Sequence, residues 1–210
     1  MRRISKIVPD SNLDLSSLDQ YIGKSCTELN SSLNIGAKTS SKSFARLVID
    51  GLIKKCNIYF DPDKYQYKMI RVDQFGVPKN PSPFKITDYS EIVLEDWDTS
   101  EFRQLLLPTY IYFIVTYGSP DSSIFKGYVI HDFSEEELRS AESVWTDTRD
   151  KIRNTDYDHF LTESDTGTFF FKCHASKVTC TTDAPGGSMQ IYRSFWISKR
   201  LLSEIISTLR

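Results

Sequence analysis

Tyr110-Ile111-Tyr112-Phe113-Ile114-Val115-Thr116-Tyr117, then the turn material Gly118-Ser119-Pro120-Asp121, then Ile124-Phe125-Lys126-Gly127-Tyr128-Val129-Ile130-His131-Asp132-Phe133, is the stretch that sets the fold class. Runs rich in β-branched and aromatic residues around a Gly/Pro/Asp turn read as two adjoining strands. Downstream, Ser134-Glu135-Glu136-Glu137 is a capping box with acids on the positive end of the helix dipole. Apolar residues at Leu138, Ala141, Val144, Trp145 and Ile152 carry that helix to Arg153. Upstream, Ser100 to Leu107 reads as a helix that must stop near Pro108.

Farther out, Phe44 to Ile53 has an amphipathic stripe, with Phe44, Leu47, Val48 and Leu52 widened by Ala45 and Ile49. Asp19 to Leu29 has helical rhythm, and Asn30 to Ser43 is a polar loop. Asn57 to Phe60 and Tyr65 to Val72 read as strands about Asp61-Pro62-Asp63, and Phe75 to Phe84, with four Gly or Pro residues, as a loop. Thr168 to Cys173 and Gln190 to Ile197 read as strands around Pro185-Gly186-Gly187, followed by a last helix over Ser198 to Leu209. The pattern predicts one α/β (α+β) domain over residues 1–210, with a central mixed sheet flanked by helices and residues 1–15 as a loose lead-in.

Composition excludes several classes. The 210 residues carry a formal charge of −2, with 40% hydrophobic and 26% charged residues, which is neither a disordered nor a collagen-like balance. That charge also excludes a strongly basic, histone-like binder. The most apolar run, Leu105 to Val115, is too short for a bilayer helix and contains Pro108. Met1-Arg2-Arg3 leads into polar residues without the apolar core of a secretion signal. Cys26, Cys56, Cys173 and Cys180 form no CxxC pair and suit free thiols, so a cytoplasmic protein with no membrane partner is expected.

Charge is segregated along the chain. Asn30 to Arg71 has eight Lys or Arg against three acids, and Thr166 to Ser203 has five against Asp183 alone. Asp88 to Glu101 has six acids and no base, and Asp132 to Glu142 has five acids with one Arg. Such a chain can present a positive cleft under a slightly negative total; chance clustering on solvated faces gives the same counts.

Within the first basic stretch, Asp50, Asp61, Asp63 and Lys68 have the residue types of a metal-dependent nuclease. Carboxylates hold Mg²⁺ near the scissile phosphate and a Lys positions the attacking water. Asp61-Pro62-Asp63 also reads as an ordinary turn, and Asp50 as a helix-end surface charge. Cys173, His174 and Cys180 lack a fourth ligand and the paired spacing of a zinc site. Adjacent Cys and His on a strand point to opposite faces, which does not suit a nucleophilic pair. Pro185-Gly186-Gly187 is not a phosphate-binding loop, since no GK[ST] follows, and no G-x-S-x-G occurs.

Several short motifs occur in order along the chain: Tyr21-Ile22-Gly23-Lys24-Ser25 with Glu28-Leu29-Asn30, Asn34-Ile35-Gly36-Ala37-Lys38, Phe125-Lys126-Gly127, Trp145-x-Asp147 and Ser194-Phe195-Trp196-Ile197. The ordered set resembles the MutH/Sau-type DNA endonucleases, mismatch-repair nicking enzymes and GATC-cutting restriction enzymes. Lys172-Cys173-His174 followed by Asp183, Pro185 and Gly187 is similar to the family's recognition segment, with Lys in place of Arg and Cys in place of Pro. The resemblance implies a restriction-endonuclease-like fold of the PD-(D/E)xK type. It places Asp50 at the helix-borne metal ligand and Lys68 at the catalytic Lys. Gln66 stands where Glu belongs, and Asp61 reaches the remaining acid position only by a register shift.

The pattern is most similar to the C-terminal, non-catalytic domain of the two-domain type II restriction enzymes. It implies a recognition or allosteric domain for double-stranded DNA, beside a catalytic nuclease domain or subunit, with its own metal site degenerate. Lys172, His174, Lys177, Thr181, Thr182 and Arg193 are then the candidate DNA contacts, through phosphates or base edges. The two alternatives are an active Mg²⁺-dependent endonuclease (a hydrolase that cuts at a GATC-like site with Asp50, Asp61 and Lys68) and a protein-interaction subunit that does not bind DNA and contacts partners through its acidic faces.

Overall fold

The structure is a computed structural model and describes residues 13–173 and 181–209. In chain order its helices are α1 (Cys26–Ser32), α2 (Phe44–Lys55), α3 (Tyr89–Ile92), α4 (Glu101–Leu106), α5 (Glu135–Arg153), α6 (Glu163–Thr166) and α7 (Lys199–Ile206). Its strands are β1 (Tyr65–Val72), β2 (Ser82–Ile86), β3 (Thr109–Thr116), β4 (Phe125–His131), β5 (Phe169–Cys173), β6 (Thr181–Ala184), β7 (Ser188–Ile191) and β8 (Arg193–Ile197). Among the described residues no helix is long and apolar enough to cross a membrane.

The architecture is mixed α/β, with small sheets flanked by helices. β3 lies between β1, which runs parallel to it, and β4, which runs antiparallel. Seven of its eight residues are buried, and the strand's two-residue period divides them between two layers. Ile111, Phe113 and Val115 pack with Leu29 of α1 and with Val48, Ile49 and Leu52 of α2. Tyr110, Tyr112 and Ile114 join the larger core with Phe102, Trp145, Phe169, Phe195 and Leu202. Burying each such side chain stabilises the fold by roughly 1.5–3 kcal/mol.

Among the described residues the expected single central sheet is instead two three-stranded sheets and a hairpin. β2, β8 and β5 form an antiparallel sheet, and β6 pairs with β7. The difference arises in the Pro-rich segment. Ser82–Ile86 forms an edge strand there, where the missing N–H of Pro83 costs no ladder bond. The expected helix over Asp19 to Leu29 is divided into a 3-10 turn at Ser16–Tyr21 and α1. Gly23 separates them at φ +87°, donating its N–H to the Phe125 carbonyl at 2.8 Å, and Ser25 then caps α1. Asn57 to Phe60 is irregular rather than a strand, and Gln190 to Ile197 is interrupted at Tyr192. Leu15, placed in the lead-in by sequence, is buried against the α2 layer.

Candidate nucleic-acid interface

β1 is an edge strand, and its alternation directs the residues of interest two ways. Tyr67, Met69 and Arg71 face the α2 layer, whereas Gln66, Lys68 and Ile70 face the larger core. α2 lies close against the 33–37 segment because residue 51 is glycine: a Cβ there would come within 2.4 Å of the Ile35 side chain. Arg46 and Asp50, one turn apart, lie on the flank of α2 beside Tyr67.

Asp50 is engaged by its neighbours. Arg46 Nε lies 2.8 Å from its Oδ1, and the Tyr67 hydroxyl donates to the same oxygen at 3.3 Å. The Arg46 guanidinium also sits 4.9 Å from the Tyr67 ring centre.

Lys68 points the other way. Its ammonium donates to the Pro83 carbonyl and lies 4.5 Å from the Phe84 ring and 5.9 Å from that of Tyr110. Burial, reinforced by the positive charge of Arg46, lowers its pKa to about 8. The remaining members of the sequence-derived set are turn residues. Asp61 Oδ1 accepts the Asp63 N–H at 3.1 Å, its carbonyl accepts from Tyr65 at 2.8 Å, and Gln66 Nε2 donates to the Pro62 carbonyl at 3.2 Å.

These residues do not fit Mg²⁺. The ion takes several hard oxygen ligands converging at short range. Here one carboxylate is paired to Arg46, two belong to a turn, and the amine that would serve the water is on the opposite strand face. Among the described residues no three His, Cys, Asp or Glu side chains are grouped to hold a metal.

What does converge at this edge is positive charge. A groove of about 380 Å³ runs along β1, with Lys42 and Arg46 on one wall, Met69 and Arg71 at its base, and Asn80 to Pro83 opposite. Lys79 stands at its end, where its N–H donates to the Arg71 carbonyl at 2.9 Å. The excess of bases between Asn30 and Arg71 was the sequence signal for this groove. The individual residues were missed because nothing local shows which of them share a strand edge.

Through Pro83 the groove adjoins the face of the second sheet that is turned from the larger core, on which Trp196 is half-buried and Phe170 buried. Pro83, Trp196 and Phe170 are paired across β2, β8 and β5 in one row. Exposed Lys172 reaches back along that face to within 5.7 Å of the Trp196 ring centre. Thr181 and Thr182 lie on β6, half-exposed, opposite Ile191 and Gln190. His174 and Lys177 lie outside the described residues. Arg193 is turned to the packing: its guanidinium donates to the Tyr89 hydroxyl and to the Tyr157 carbonyl, both at 3.1 Å, and lies 4.9 Å from the Phe160 ring centre.

No family model matches this chain, and no curated protein matches it. A row of cations along a strand edge, bordered by aromatic and proline faces, suits a ligand with regularly spaced anionic groups.

Proposed function

We propose that the chain binds double-stranded DNA without cleaving it, as the recognition or allosteric domain of a type II restriction endonuclease. On this reading it is a restriction-endonuclease-like domain with a degenerate metal site, acting in the cytoplasm beside a catalytic domain or subunit. The observation that carries the reading is the pairing of Asp50 with Arg46 at the edge of β1. The carboxylate that a nuclease would use is paired to a guanidinium there, and the surrounding groove is lined by Lys42, Arg46 and Arg71, with Lys79 hydrogen-bonded to Arg71 through its backbone. The chain order of Asp50, Gln66 and Lys68 over helix and strand supports descent from a nuclease arrangement, and the inward course of Lys68 supports its loss.

Fluorescence anisotropy with labelled duplexes, one containing GATC and one scrambled, in Ca²⁺ at moderate salt, tests the proposal. Tighter binding to GATC supports the inherited recognition site. Equal, salt-sensitive binding retains the DNA role and removes the inherited site. Absence of binding to either duplex overturns the reading in favour of a protein-interaction subunit.

A further inference from the structure

Immediately beyond β1 the chain makes a tight turn that holds a large apolar side chain away from the fold. Phe75 is 82% exposed and Val77 51% exposed, whereas most of the chain's phenylalanines are core residues. A single exposed apolar residue is ordinary. The support beneath this one is not.

Asp73 Oδ1 accepts the N–H groups of Phe75 at 2.9 Å and Val77 at 3.0 Å. The Asp73 N–H donates to the Val77 carbonyl at 2.9 Å, and the Gly76 N–H to the Asp73 carbonyl at 3.1 Å. Gly76 occupies the left-handed region at φ +84°, which a side chain would strain. Below the turn, Val72 bridges Pro78 and the Lys79 N–H donates to Arg71, so the tip is an extension of the sheet edge.

The surroundings of the tip are cationic and aromatic. Arg71 and Lys79 lie 6.0 and 5.7 Å from the ring centre of Tyr117, which is itself 58% exposed. Lys126 lines the cleft of about 360 Å³ between the turn and α7. The one acid of the turn, Asp73, has its carboxylate engaged by two backbone N–H groups. Positive charge around an apolar tip suits an anionic partner that also offers an apolar or stacked interior, and a DNA duplex supplies both.

We propose that the Asp73–Val77 turn is a DNA wedge, with Phe75 entering a base step from the minor groove while Arg71 and Lys79 hold the flanking phosphates. This rests on the duplex-binding role proposed above and adds to it a site and a deformation. Apolar side chains inserted in this way unstack a step and bend the duplex toward the major groove, and the cost is repaid only if the tip is rigid and its flanks are cationic. The bonds to Asp73 provide the rigidity, and Arg71 and Lys79 the charge.

The test places 2-aminopurine at successive positions of a duplex that the full chain binds. Wild-type protein should raise the fluorescence at one step, and Phe75→Ala should abolish that rise and weaken binding about tenfold with an unchanged salt slope. Phe75→Trp should restore the signal. Because Phe75 is exposed, the melting temperature of both variants should match wild type. Wild-type binding with 2-aminopurine quenched at every position, and Phe75→Ala binding equally well, overturns the wedge and leaves the DNA role standing. No wild-type binding at all removes both. Unchanged DNA binding by Phe75→Ala with a shift from dimer to monomer in sedimentation assigns the tip to contact between copies of this chain and also overturns the wedge.

Discussion

Asp50 and Lys68 lie on opposite faces of β1. The strand residue that meets the Asp50 carboxylate is Tyr67, and the next residue, Lys68, is directed through the sheet onto Phe84 and the Pro83 carbonyl. A hydrolytic site needs acid and amine on one side of the scissile phosphate, and strand alternation separates them here.

Supercoiled plasmid incubated with Mg²⁺ or Mn²⁺ should therefore remain uncut at protein concentrations that saturate binding. Nicking by the wild type that disappears in Lys68→Ala would show a working site and end the non-catalytic reading.

The buried amine gives a pH-dependent stability. Its folded pKa of about 8 lies below the 10.5 of the free side chain, so between these values the unfolded chain binds more protons. Stability from this group accordingly rises with pH across that window, by on the order of 3 kcal/mol. Lys68→Met removes the penalty at every pH. Its stability advantage over wild type should be largest near neutrality and should shrink toward pH 10, read from urea midpoints of both proteins.

The groove cations should report themselves in salt dependence. Arg71→Ala and Lys42→Ala should each reduce the slope of log K against log salt by about one, while Asp61→Ala leaves it unchanged. Equal slopes for all of these proteins would place the duplex elsewhere on the surface.

Arg193 is expected to act on stability rather than on binding. Its guanidinium ties α3 through Tyr89 to the 157–160 segment and to β8. Arg193→Ala should cost about 2–3 kcal/mol in urea unfolding, with the phosphate-dependent salt slope unchanged. Arg193→Lys should recover little, because a point charge cannot reach two acceptors and a ring face together.

The parts of this fold legible in sequence were those with strong local chemistry. The Ser134 capping box and the apolar spacing from Leu138 to Ile152 give α5 with the ends expected of it. Pro108 stops α4 where it should. The Pro-rich segment reads as a loop in sequence because its strand depends on a partner, β8, more than a hundred residues away. The same limit applied to the site. Arg193 and Lys172 are both basic residues on strands, and only the tertiary placement of Tyr89, Tyr157 and Phe160 turns Arg193 inward while Lys172 faces out. The basic excess between Asn30 and Arg71 was countable, but alternation about β1 decided which residues share its edge.

β3 separates two hydrophobic layers that have no other strand so fully in common. Ile111 and Tyr112 are adjacent in the chain, yet one belongs to the α2 layer and the other to the layer of α4 and α5. Neither layer is complete until this strand is seated, and its parallel register with β1 joins Tyr65 to Thr109 across a long intervening segment. Folding must therefore wait on a distant pairing, and the two halves should melt together rather than in sequence. Probes placed on either side would then record a single transition, and damage at Ile111 would loosen the distant α5 as readily as the neighbouring α2.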